Sequence, residues 1–202
     1  MKREMRSICD VSALDDYAFG ASTISWWGVV GFMLIEGIAF ILAVGAYYYL
    51  LHNEIEWPPS SQPPPLLWSS VFTLALLATE PLNVWVKRMG RAQRLPQVRW
   101  GLMIMTVLGI VLLALRILEL DALNVRWDRT AYGSIVWALI VLHIFHTVTD
   151  VFDTGVLAAL SWTRQMSGRK FSDVTDNAMY WHFIVWSWVA LYVVIYWTPR
   201  WL

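Results

Sequence analysis

Five stretches of this 202-residue chain are each apolar for about the thickness of a membrane, and they leave the chain little choice of solvent. They run over 26–51, 66–86, 100–120, 131–162 and 179–198. Spanning a bilayer takes roughly 20 residues at about 1.5 Å each. Inside hydrocarbon every backbone N–H and C=O must find a partner within the protein, which helices provide. The pattern therefore predicts an all-α, polytopic membrane helical bundle of five transmembrane helices. Residues 26–202 form the membrane domain, and 1–25 a polar N-terminal arm. Only 15% of the residues are charged and 58% are hydrophobic, where a soluble domain carries about 25% charged residues. The formal net charge is zero, so no global basic field points to nucleic acid.

The connections are short. EIEWPPSSQPPP (54–65) is excluded from helix by prolines that lack N–H donors. KRMGRAQRLPQVR (87–99) reads as a basic turn between two helices, and SGRKFSDVTDN (167–177) as a polar loop in which Ser172 or Asp173 caps the next helix. The arm has no apolar signal-peptide core and is expected to be retained. Its Cys9 is the single cysteine, which excludes an internal disulfide or a CxxC site.

Positive charge orders the two faces. With five spans, Lys2, Arg3 and Arg6 share a side with Lys87, Arg88, Arg91, Arg94 and Arg99, and with Arg164, Arg169 and Lys170. The other side keeps Arg116, Arg126, Arg129 and Arg200. This asymmetry predicts a cytoplasmic N-terminus and an outside C-terminus. Trp26, Trp27, Trp57, Trp68, Trp85, Trp100, Trp127, Trp162, Trp181, Trp197 and Trp201 lie near span ends, where indole rings anchor at headgroups.

The ionisable residues within the spans carry the functional signal. A charged side chain at the bilayer centre costs at least about 2.5 kcal/mol, so each needs a partner. Glu36 and His143 fall near the midplane. Asp150, Asp153 and Glu80 lie toward the basic side, where His182 opens the fifth helix. Arg116 and Glu119 lie in the other half. His143, His146, Asp150 and Asp153 are spaced 3, 4 and 3, which sets them on one helical stripe that faces other helices. Three chemistries fit such a stripe: interhelical hydrogen bonding by neutral histidines, a proton relay, or a metal or haem site completed from another helix. Glu36 reads either as a neutral carboxylic acid bonded to a neighbour or a lipid, or as a reactive, proton-handling carboxyl. Arg116 and Glu119, at i and i+3, read as a local ion pair, with Arg116 also a candidate for a lipid phosphate. The chain lacks a Walker loop, GxGxxG, HExxH and a serine elbow, and nothing in it points to self-contained catalysis.

At these same residues the chain resembles subunit III of the haem-copper respiratory oxidases, in its five-helix form. WWGVVGFMLIEGIAFILAVGAYYYL (26–50) is similar to that family's carboxylate-bearing helix, with Glu36 on the position that reacts with a carbodiimide. The WPP that follows, YGSIVWALIVLHIFH (132–146) and YWHFIVWSWVALYVVIYW (180–197) resemble further family motifs in the same order. His143, His146 and His182 fall on family histidines. The family's aspartate after YWHF is absent here, and the histidine-bearing end of its next helix is replaced by TEPLNVWVKR.

The resemblance implies a non-catalytic accessory subunit of a terminal oxidase in aerobic electron transport, with no catalytic, metal or cofactor-binding residues of its own. Haem and copper are then expected in partner subunit I. Subunit II, a small subunit IV and bound phospholipid are further expected partners. Glu36, His143, His146, Asp150, Asp153, His182, Glu80, Arg116 and Glu119 are the candidates for proton handling or lipid contact. The implied location is a bacterial inner (plasma) membrane rather than the mitochondrial one. The rival readings are an accessory subunit of a nitric oxide reductase, an independent proton-coupled transporter, and a small membrane cytochrome.

Overall fold

The computed structural model describes residues 19–59, 62–163 and 168–201, with the side chains of 168–170 outside the description. Cys9 and the basic residues of the arm, and the side chains of Arg164, Arg169 and Lys170, lie outside the described residues.

Five long helices account for nearly all of the described chain: α1 (Ile24–Asn53), α2 (Leu66–Arg91), α3 (Leu95–Asp121), α4 (Ala131–Ser161) and α5 (Gly168–Tyr192). A five-residue π turn (Val193–Trp197) and a last helical turn, α6 (Thr198–Trp201), continue α5. Each long helix is long and apolar enough to cross a bilayer, and the chain is a multi-pass membrane protein.

Local chemistry sets the helix starts. The Thr23 and Thr130 side chains accept from the Trp26 and Gly133 amides and cap α1 and α4. Pro96 stands in the first turn of α3, where its missing N–H is no loss.

Two connections differ from the sequence reading. The basic segment 87–99 is mostly helix, because α2 continues to Arg91 and α3 starts at Leu95. Gln93 makes the reversal at a φ of 53°. Likewise α5 begins at Gly168, which puts Ser172 and Asp173 inside the helix instead of capping it. Polar residues delimit hydrocarbon but do not end a helix, so both helices run on past the apolar boundary.

The bundle is a ring in which α1 touches α4 and α5, α4 touches α3, and α2 closes against α3 and α5; α4 and α5 also meet across it. Close approach is built from missing side chains. A Cβ on Gly109 would collide with Val151 of α4, and one on Gly133 would strike the Arg126 carbonyl. Trp181 and Trp188 are almost fully buried and donate to the Thr79 and Thr73 hydroxyls of α2 at 2.9 and 2.8 Å. Trp181 is therefore a core residue and not an interfacial anchor, because the early start of α5 moves it well inside that helix. By contrast α1 buries only Glu36, Phe40 and Tyr47, and shows Leu34, Ile35, Ile38, Ile41 and Leu42 outward. In a bilayer such a face is solvated by lipid.

The end of the bundle with the α2–α3 turn carries Lys87, Arg88, Arg91, Arg94 and Arg99, and is called the basic end below.

Candidate functional site

The stripe on α4 faces inward along most of its length. His143, His146 and Asp150 are buried, and Asp153 emerges at the edge. The histidines one turn apart enter two separate polar clusters.

His143 belongs to the first. Arg116 Nη1 donates to Glu119 Oε2 at 2.5 Å, as the i, i+3 spacing predicts, and both side chains are almost fully buried. Tyr196 donates its hydroxyl to Glu119 Oε1 at 2.5 Å from the π turn. Arg116 Nη2 donates to His143 Nδ1 at 2.9 Å. A guanidinium has no acceptor, so Nδ1 accepts and His143 is the Nε2–H tautomer. Its Nε2–H donates to the Ile184 carbonyl at 3.0 Å. The Arg116 plane lies between the Phe72 and Trp188 rings, 3.6 and 3.5 Å from their centroids. Four helices meet on this one cation, which is 1% exposed. At that burial it does not reach a lipid phosphate.

His146 belongs to the second. Its Nδ1 lies 2.5 Å from the Leu142 carbonyl, which only accepts, so Nδ1 carries hydrogen. Its Nε2 sits 3.2 Å from Glu36 Oε1. Tyr180 donates its hydroxyl to Glu36 Oε2 at 2.6 Å. One proton therefore occupies the space between Glu36 Oε1 and His146 Nε2, either on the carboxyl or on the imidazole. The pair plus that proton carries no net charge in either form, which is how two ionisable groups are tolerated at this depth.

Beside this pair opens a cavity of about 350 Å³ between α1, α4 and α5, with Asp150, Asp153, Asp176, Asn177 and Tyr180 in its wall. Asn177 donates to Asp150 Oδ1 at 3.2 Å, while Asp150 Oδ2 is buried and has no protein partner. Asp176 accepts from Ser25 at 2.8 Å. Away from both clusters, Glu80 and His182 meet at 3.0 Å between α2 and α5. His182 lies partway along α5, with its side chain 56% exposed.

The phenols Tyr180 and Tyr196, the rings Phe72 and Trp188, and the amide Asn177 were not singled out from the sequence. The only signal for the phenols was their place within the YWHF…IYW run. Among the described residues no group of three or more His, Cys, Asp or Glu side chains is gathered to hold a metal ion.

Comparison with known proteins gives this architecture a family. The chain is 23% identical over 181 residues to cytochrome c oxidase subunit 3 of Lumbricus terrestris, covering 85% of this chain and 69% of the relative. Against the same subunit of Chondrus crispus it is 26% identical, with 85% and 65% covered. Against that of Synechocystis sp. it is 24% identical, with 88% and 77% covered. The chain is similar to cytochrome c oxidase subunit 3 along most of its length. It spans about two-thirds of the length of the first two relatives. No protein-family model matches it. This similarity accords with a five-helix membrane bundle, in which Glu36 of α1 is buried against His146 of α4.

Proposed function

We propose that this chain is the non-catalytic accessory subunit III of a haem-copper terminal oxidase. On this reading it stabilises the catalytic subunit, supports proton uptake and binds phospholipid in the membrane of an aerobic bacterium. The observation that carries it is the similarity to oxidase subunit 3 along 85% of the chain. Haem and copper then belong to subunit I, and this chain supplies packing surface, with subunit II and a small subunit IV completing the complex. The Lys and Arg asymmetry supports a cytoplasmic basic end.

The single proton between Glu36 and His146 supports the proton-handling part of this role. A carboxyl and an imidazole sharing one proton exchange it without creating net charge. The adjoining acidic cavity gives the pair a polar approach from the basic end.

The test is to solubilise the complex gently through an affinity tag on this chain, identify its subunits by mass spectrometry and record an optical spectrum of the same sample. A haem-bearing oxidase subunit is expected in the complex, with no haem absorption from the chain alone. A stable complex without any haem-copper oxidase subunit would overturn the proposal. The identity and substrate of the catalytic partner, oxygen or nitric oxide, decide between an oxidase and a nitric oxide reductase.

A further inference from the structure

We infer that the groove between α2 and α5 at the basic end is a binding site for the phosphate of an anionic phospholipid. The inference deepens the lipid-binding part of the proposed role and rests on that part alone.

The groove has a volume of about 310 Å³. Asn83, Lys87, Arg88 and Arg91 line it from α2, and Ala178 and His182 from α5. Residues 83, 87 and 91 are spaced i, i+4, i+8 and therefore fall along one face of the helix. Asn83 spends its amide on the Ala178 carbonyl at 2.9 Å and so pins the groove's floor. Above it stand three cations.

None of Lys87, Arg88 and Arg91 forms an ion pair among the described residues. The two acids close enough to act on Lys87 are Glu80 and Asp176. Each has an oxygen already engaged, with His182 at 3.0 Å and with the Ser25 hydroxyl at 2.8 Å. The neighbouring Arg99 is committed elsewhere, donating to the Ser161 carbonyl at 2.6 Å and lying 5.2 Å from the centre of the Trp162 ring. Among the described residues the groove thus gathers three cations that no ion pair engages, with Glu80 and Asp176 acting on Lys87 alone and from a distance.

Its depth identifies the balancing anion. The three cations occupy the last two turns of a membrane-crossing helix. The exposed ring of Trp85 lies half a turn deeper, where indole marks the headgroup level. Basic pockets between transmembrane helices at this level hold anionic lipid headgroups, and each Lys or Arg near the surface contributes about 1 kcal/mol. The C-terminal end of the α2 dipole opposes an anion by about 0.3–1 kcal/mol, less than the three cations together contribute.

The test uses the full chain in its native complex, in vesicles of phosphatidylcholine doped with a photoactivatable phosphatidylglycerol. After illumination, mass spectrometry maps the label. Label is expected on the α2 peptide containing residues 83–91, with a photoactivatable phosphatidylcholine labelling it far less. Neutralising one cation, Lys87→Gln, should reduce labelling about fivefold. Neutralising Lys87, Arg88 and Arg91 together should reduce it to the phosphatidylcholine level. Lys87→Arg with Arg91→Lys should preserve it. Equal labelling by both lipids, or unchanged labelling of the triple variant, would overturn the inference. So would loss of label to excess inorganic phosphate at constant ionic strength, which would identify a free-anion site instead. If the triple variant fails to assemble, Lys87→Gln and its fivefold effect decide alone. Absence of an oxidase subunit from the complex would count against the accessory role and leave the labelling result readable.

Discussion

His143 and His146 stand one turn apart on α4, yet they serve opposite arrangements. Around His143 the partners come from α3, α5 and the π turn, and rings close both faces of Arg116. Both Glu119 oxygens are engaged, and of the Arg116 nitrogens only Nε lacks a partner. Around His146 the partners join the sparsely buried α1 to α4 and α5, and a cavity with a partnerless carboxylate oxygen lies alongside. The second cluster has a single contact of 3.2 Å between Glu36 and His146, beside an open cavity. Burial alone does not separate the two clusters; the count of committed partners does.

The sharpest way to break this contrast is to remove Arg116. Arg116→Met leaves Glu119 buried without its cation, and losing one member of a buried pair costs about 3–5 kcal/mol. Thermal unfolding in detergent should show the largest fall of any single change considered. Arg116→Met combined with Glu119→Gln should recover part of it, because the stranded charge is gone. If Arg116→Met melts like the wild type, the cluster is not the clamp described.

At the second cluster the losses are smaller. Glu36→Leu leaves the Tyr180 hydroxyl and His146 Nε2 without partners, at about 1–3 kcal/mol. Tyr180→Phe removes a single hydrogen bond and should cost about 1 kcal/mol. Chemistry sharpens the distinction further. An apolar carbodiimide should modify Glu36, which holds a shared proton at the edge of the bundle, and spare Glu119, whose oxygens are both engaged. Mass spectrometry of the two peptides reads this directly, and Glu36→Gln should abolish the label on α1. Equal modification of Glu119 would erase the contrast.

Much of this was open to inspection in the sequence. Apolar length alone carries the five helices, because hydrocarbon forces hydrogen-bonded backbone wherever such a segment runs. The i, i+3 spacing placed Arg116 against Glu119, and the 3-4-3 spacing put His143, His146 and Asp150 on an inward face. Which helix each would meet was not legible, since helical spacing gives direction and not neighbours. Hence the sequence does not reveal that Tyr180 meets Glu36 of α1 or that Tyr196 meets Glu119 of α3. The burial of Trp181 is hidden from the sequence for a related reason. Apolarity begins at Met179, which sets Trp181 near a span end, while the helix itself begins at Gly168.

The smallest expected effect comes from a second arginine–carboxylate pair, in the α3–α4 connection outside the spans. Arg126 donates to Asp128 Oδ1 and Oδ2 at 3.0 and 2.8 Å, a geometry at least as favourable as that of the buried pair. The hydrogen bond and charge of Arg126 hold the Asp128 carboxyl below its usual range. A carboxyl depressed in the folded state adds stability above its unfolded value, about 3.9, and that contribution disappears as pH falls through the lower folded value. Arg126 is protonated on both sides of this window and contributes no pH dependence of its own. Yet the two side chains are 62% and 36% exposed, so water and salt screen their attraction. Arg126→Ala should therefore return the Asp128 carboxyl toward its usual value, read by carbon NMR of a labelled sample. It should leave the melting temperature unchanged within error at neutral pH and in acid. A fall comparable to that of Arg116→Met would mean that contact geometry, and not burial, sets the worth of an ion pair in this protein.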